Sequence, residues 1–267
     1  MKRHSDIYVI VSPPRCSSTA FARVFWEHPN VGYYSHEPFE ILYYNGDNLA
    51  DVADKLDSPL DLRRLTPQAV SGRNGSLVIK EMPYQVGDHF PLLVSLSTGP
   101  IIFLIRDPRL NISSRMSMKR LVGDNPLFPL VESGWELIQR QVRWCQANEI
   151  DHVIVDSMDY RNQPAAIFEQ LFARFQLPFS SRMLSWEPMA NVDIDNLDGR
   201  HRHLYQRVMG SGGIEPATEP IPELKSFPVD KGFREHVSQC LVIYEELRRA
   251  PARLRVNHPA SKKSRIQ

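Results

Sequence analysis

Ile7-Tyr8-Val9-Ile10-Val11-Ser12-Pro13-Pro14-Arg15-Cys16-Ser17-Ser18-Thr19-Ala20-Phe21, with the turn of chain that follows to Trp26, decides the fold. Ile7 to Val11 is a short apolar run rich in β-branched residues, as suits a strand buried in a parallel sheet. Ser12-Pro13-Pro14 ends it, because proline has no N–H for a ladder. Beyond the loop, Ala20, Phe21, Val24 and Phe25 recur at helical spacing. The order is strand, tight loop, helix. The loop's free N–H groups and the helix start then face one point, which makes an anion site. Arg15 adds a fixed charge, and Ser17, Ser18 and Thr19 add hydroxyl donors. A capped helix after a strand, with Arg15 at the surface, would leave the same trace. The stretch has neither glycine nor lysine, so it is not a Walker A loop, and an ATP or GTP hydrolase is disfavoured.

A second stretch sharpens the reading. Ile101-Ile102-Phe103-Leu104-Ile105 is another buried-strand run, and it ends in Arg106-Asp107-Pro108-Arg109-Leu110-Asn111-Ile112-Ser113-Ser114. Together the two loops resemble the sulfotransferases that use 3′-phosphoadenosine 5′-phosphosulfate (PAPS). In that family a loop of the type Pro-Arg/Lys-Ser-x-Ser/Thr-Thr cradles the 5′-phosphosulfate. An arginine ending a later strand, with a serine eight positions on, grips the 3′-phosphate. The resemblance puts Arg15, Cys16, Ser17, Ser18 and Thr19 in the first role and Arg106 and Ser114 in the second. It extends through most of the chain and looks closest to the branch with a His-Glu-Pro-Phe segment. It implies PAPS as donor and PAP as desulfated product; the transferring group carries only one negative charge, so no metal clamp is expected.

Composition bounds the alternatives. The 267 residues fit one α/β domain, and 42% hydrophobic content supplies a large core. A net charge of +1 gives no bulk attraction to nucleic acid or membrane, so any anion site is local. Cys16, Cys145 and Cys240 are scattered and odd in number, which argues against a disulfide framework or a zinc site and for a reducing, cytoplasmic setting. Arg15 and the helix start could lower the Cys16 pKa, although a passive thiol is the commoner case. The basic N-terminus precedes an apolar run of only five residues, too short for a signal core or a membrane span.

In chain order, Asn30 to Ser35 reads as a strand opening onto His36-Glu37-Pro38-Phe39. Strand C-terminal ends form the ligand edge of an open parallel sheet. In the resembling family a glutamate here, or a histidine elsewhere, is the general base. Glu37 takes that role, with His36 as its neighbour in reserve; capping or pairing with an arginine is the structural alternative. Residues 44–74 are polar, with short rim helices. Leu77-Val78-Ile79 is a strand ending at Lys80-Glu81-Met82-Pro83. The family's lysine at this place contacts the transferring sulfonate, which assigns Lys80. Its histidine two residues on is replaced by Met82, so the base falls to Glu37 and then to Glu81 or His89.

Helices are expected over Glu132–Asn148 and Ala165–Phe175, with a strand at His152–Val155 between them. The alternation gives a three-layer α/β sandwich around a parallel sheet of about five strands, in the manner of nucleotide kinases. His201 and His203 make a poor metal pair. Gly210-Ser211-Gly212-Gly213 reads as a hinge and Pro216–Pro228 as a lid or wrapping loop. Lys231 and Gly232 resemble the family's segment over the 3′-phosphate, although Asp230 stands where arginine is usual. One domain over 1–250 is expected, then a disordered basic tail over 251–267. The resulting function is sulfuryl transfer to a hydroxyl or amine of a small molecule, with a homodimer left open. A nucleotide-kinase-like phosphotransferase, a non-catalytic nucleotide-binding protein and a plain interaction domain are the alternatives.

Overall fold

The computed structural model describes residues 4–46, 48–65, 75–189, 192, 194 and 205–256. The strand expected at the start is β1, Ile7–Val11. It lies inside a sheet with β2 (Val31–His36), β3 (Leu60–Asp61), β4 (Ser76–Glu81), β5 (Ile101–Ile105) and β6 (His152–Asp156). The order is β3-β2-β4-β1-β5-β6. Five strands are parallel, as expected; β3 adds a sixth, antiparallel to β2. Its two residues are too few to show alternation in the sequence.

Each face of the sheet is covered, which is why the central strands read as continuous apolar runs. Ile7, Val9 and Val11 enter one core cluster and Tyr8 and Ile10 the other. On the second side lie α1 (Ser18–Trp26) and α9 (Pro164–Arg174), packed through Phe21, Phe25, Phe168 and Phe172. On the first lie α5 (Phe90–Leu96), α6 (Pro108–Leu121), α7 (Trp135–Ala147) and α11 (Phe233–Arg249). Four further helices are α2 (Glu40–Asn45), α3 (Leu49–Asp57) and α4 (Pro83–Val86) before α5, and α8 (Ser157–Asn162) after β6. A further turn, α10 (Gln206–Met209), lies between α9 and α11.

Two expectations need correction, and a third gains a packing reason. The helix predicted from Glu132 begins at Trp135, because Leu130–Ser133 is a 3-10 turn and Gly134, at φ 78°, caps the helix. The glycine-rich run, expected as a hinge, has one glycine set by packing: a Cβ on Gly213 would stand 2.7 Å from the Leu184 carbonyl oxygen. The tail does not begin at 251. The Ile154 N–H donates to the Ala252 carbonyl (3.0 Å) and the Leu254 N–H to the Ile154 carbonyl (2.9 Å), extending the edge of β6. Residues 257–267 lie outside the described residues, as do His201 and His203. Among the described residues no helix is long and apolar enough to cross a membrane.

Candidate active site

β1 has β4 on one side and β5 on the other, so helical connections leave it in opposite directions and a crevice opens at the strand ends. Four expected residues converge there. Arg15 follows β1, Glu37 follows β2, Lys80 lies near the end of β4 and Arg106 follows β5. Backbone strain collects at the same place. Five non-glycine residues among those described have positive φ, and three of them are Arg15, Ser17 and Glu37. Such conformations cost of order 1–3 kcal/mol each and persist only where surrounding contacts enforce them.

The contacts that enforce the first loop come from later elements. Asn111 Nδ2 donates to the Pro14 carbonyl (3.1 Å), Arg106 Nη1 to the Arg15 carbonyl (3.0 Å), and the Tyr160 hydroxyl to the Ser17 carbonyl (2.8 Å). Three carbonyls are thus held from outside. The first turn of α1, which has no side-chain cap, keeps N–H groups without intrahelical acceptors. Arg15 Nε donates to Ser114 Oγ at 3.2 Å, so the expected cradle and the expected clamp touch. Burial pulls the Arg15 guanidinium below the ordinary arginine value. Tyr205 opposes this, while Arg106, Arg115 and Arg207 add to it. Arg106 is 5% exposed, and its Nε has no hydrogen-bond partner among the described residues.

The other side of the crevice is a buried charge pair. Lys80 Nζ donates to Glu37 Oε1, His36 Nε2 lies 3.2 Å from the same oxygen, and Gln85 Nε2 donates to Oε2 at 2.9 Å. The His36 ring is itself held by the Tyr34 hydroxyl at 2.5 Å from Nδ1. Register explains the pairing, since His36 stands beside Lys80 across β2 and β4. Burial alone would raise the Glu37 pKa, but Lys80 and then His36 overcome it and hold the carboxyl well below the usual range. The partial upward shift that would favour a base at neutral pH is therefore absent in this state.

Two cavities meet at this wall. One, of about 220 Å³, is bounded by the first loop, Lys80, Arg106, Ser114 and Arg161. The other, of about 320 Å³, runs between Tyr44, Tyr84, Met82 and Met118. Arg15, Glu37, Met82, Arg115 and Tyr205 border both. Glu37 is the one candidate base that does so. Glu81 is fully buried, raised well above the carboxylate range by that burial, and accepts from the Met82 and Phe39 N–H groups, so it fixes a turn. His89 stacks on Phe39 with ring centres 6.3 Å apart and borders neither cavity.

Two other expected residues, Cys16 and Gly232, fall outside the lining, and the Lys231 side chain lies outside the described residues. Ser17, Ser18 and Thr19 face the first cavity, but Cys16 packs in the core with Tyr8 and Phe21, and burial pushes its thiol up to about 12. The lowered pKa considered from its neighbours does not arise, because desolvation outweighs them. Lys231 and Gly232 belong to the turn Asp230–Gly232 before α11, and Gly232 does not line the cavity.

Arg161, Arg207, Glu215 and Glu219 border the first cavity without having been singled out. Arg161 follows the end of β6, so the strand-end rule could have found it. The other three sit in segments without periodicity, where the sequence carries no signal.

The family model described as "Sulfotransferase domain" matches residues 7–231. No curated protein sequence matches the chain. Among solved structures, the sulfotransferase domain of the Synechococcus PCC 7002 olefin synthase aligns with a TM-score of 0.52 at 15% identity, over 92% of this chain and 96% of that one. The sulfotransferase domain from the curacin biosynthetic pathway gives 0.48 at 16% identity, over 92% and 99%. Mouse sulfotransferase SULT7A1 complexed with PAP gives 0.45 at 11% identity, over 93% and 87%.

Proposed function

The chain belongs to the sulfotransferase domain family, and we propose that it moves a sulfuryl group from PAPS to a hydroxyl or amine of a small molecule. The observation that carries this is the junction of the β1 and β5 loops: Arg15 on Ser114, and Arg106 on the Arg15 carbonyl, beside Lys80. The lining fits a polyanion. Six basic side chains border the first cavity against three carboxylates, and the buried Arg106 Nε has no partner among the described residues. Bound there, PAPS would supply the sulfuryl group and a phosphate leaving group.

The protein's own part is positioning and charge stabilisation. Arg15 and Lys80 would stabilise the negative charge that grows as the sulfur–oxygen bond to phosphate breaks. Ser17, Ser18 and Thr19, with the first-turn N–H groups of α1, would hold the 5′ end. Arg106 and Ser114 would hold the 3′-phosphate. Glu37, ionised and bordering both cavities, would take the acceptor's proton as the new bond to sulfur forms. The second cavity supports a small acceptor, because its volume is at the lower end of small-molecule sites and its walls combine tyrosine and methionine.

The test is PAP release from PAPS with a panel of phenols, alcohols and amines. Acceptor-dependent PAP release is the expected result. Tight PAP binding with no turnover on any acceptor would favour the non-catalytic reading, which the methionine at position 82 supports.

A further inference from the structure

The segment from Ile214 to Glu219 crosses the first cavity and carries two carboxylates into it. Glu219 reaches both buried arginines: its Oε1 lies 3.3 Å from Arg106 Nη2, and its two oxygens lie 3.1 and 3.0 Å from Arg161 Nη1. Arg161 also holds the segment's backbone, donating from Nε to the Glu215 carbonyl (3.0 Å) and from Nη2 to the Pro216 carbonyl (2.8 Å). The two guanidiniums are 6% and 7% exposed, whereas the Glu219 side chain is 38% exposed. A half-exposed carboxylate therefore sits between two buried cations at the mouth of the cavity. Glu215 makes a comparable pair with Arg207, but there the arginine is 80% exposed.

We propose that Arg106 and Arg161 form one phosphate seat, and that Glu219 fills it while the donor is absent and is displaced when the donor's phosphate arrives. This rests on the donor-site reading above. The chemistry is competition between two anions for one pair of forked donors. The carboxylate is a displaceable occupant, since it brings one charge on two oxygens and is itself 38% exposed, so that on leaving it is readily rehydrated. A phosphate offers more oxygens and more charge to the same two groups. Displacing Glu219 removes the segment's side-chain tie to Arg161 and leaves the bonds to the Glu215 and Pro216 carbonyls, so only the end of the segment that carries Glu219 needs to move. Donor affinity is reduced by the fraction of molecules in which the seat is taken.

Calorimetric titration of PAP into wild type, Glu219→Gln, Arg161→Met, Glu215→Gln and Arg106→Ala tests this. Glu219→Gln should bind PAP roughly three- to tenfold more tightly, because a neutral amide competes less well. Arg161→Met should bind more weakly, and Glu215→Gln should change little. Unchanged or weaker binding in Glu219→Gln would overturn the proposal, showing that the carboxylate braces Arg106. Wild-type affinity in Arg161→Met would remove Arg161 from the seat. Arg106→Ala separates the two levels: weakened PAP binding there, with no gain in Glu219→Gln, leaves the donor site standing and the competition refuted. Undiminished binding in Arg106→Ala would overturn the donor site itself.

Discussion

On the β1–β5 side of the crevice, a half-buried Arg15 lies against a hydroxyl and a buried Arg106 against a backbone carbonyl, with a half-exposed carboxylate at the rim. On the β2–β4 side, Lys80 is buried against Glu37. The first arrangement keeps more positive than negative charge, and Glu219, the carboxylate set against Arg106, is partly open to water. The second is a closed ion pair, held by His36 and Gln85 as well. Desolvated cations in excess of their counter-ions are costly unless a ligand supplies more negative charge, so the first half is built to bind. A desolvated pair is stable by itself, and its members become useful when a reacting group enters between them.

The largest expected effect falls on the second half. Glu37→Gln keeps the shape and removes the proton acceptor, so kcat at saturating PAPS should drop by about 10²–10⁴. PAP affinity should not fall, because the substitution removes a negative charge from a site for an anion. Wild-type turnover in Glu37→Gln would reassign the base, with His36→Ala as the next variant to assay.

The same pair should dominate local stability. Removing one partner of a buried pair leaves the other uncompensated, at about 3–5 kcal/mol. Urea unfolding of Lys80→Met should show a loss of that order, and the Lys80→Met/Glu37→Gln double variant should recover part of it. If the two single losses simply add, the pair is not coupled and the comparison between the halves fails.

A third effect concerns pH. In the wild type Glu37 is held below the usual carboxylate range, so it stays ionised and gives no acid limb between about pH 5 and 8. Its contribution to stability is present above the unfolded value of about 4.3 and is lost only as pH falls through the lower folded value. Lys80→Met removes the largest lowering influence and leaves the burial, so the pKa rises. The residual kcat/KM of that variant should then fall as the medium is acidified. A flat profile in the variant would show that Lys80 does not set the charge state of Glu37.

The smallest effect lies outside the crevice. Burial lowers the His236 pKa below its unfolded value, and its ring shares a hydrogen bond with Ser133 Oγ at 2.8 Å. Below about pH 6.5 the unfolded chain binds the extra proton, so stability falls with pH there. His236→Gln should flatten that part of the stability curve. An identical slope would assign the acid sensitivity to other groups.

The sequence showed the sheet because buried parallel strands leave unmistakable apolar runs, as at Ile7–Val11 and Ile101–Ile105. Strand ends then pointed to Arg15, Glu37, Lys80 and Arg106, since topology brings all such ends to one edge. It did not show how those groups are paired. Lys80 beside Glu37 is a matter of register, and Cys16 turning into the core is a matter of loop conformation. Glu219 was beyond reach for another reason: it lies more than a hundred residues from Arg106 in a segment with no periodicity, so only the folded chain brings them together. The terminal segment starts later than composition suggests, because Arg253 and its neighbours pair by backbone with β6.

The measurement closest to the central claim is a calorimetric titration of PAP into wild type and Arg106→Ala. Both proteins should first be shown to unfold at the same temperature. The substitution removes charge-assisted contacts expected to contribute about 1.5–3 kcal/mol, so PAP should bind the wild type and lose roughly ten- to a hundredfold in affinity for the variant. Equal affinities would contradict the assignment of the β1–β5 junction as the donor site.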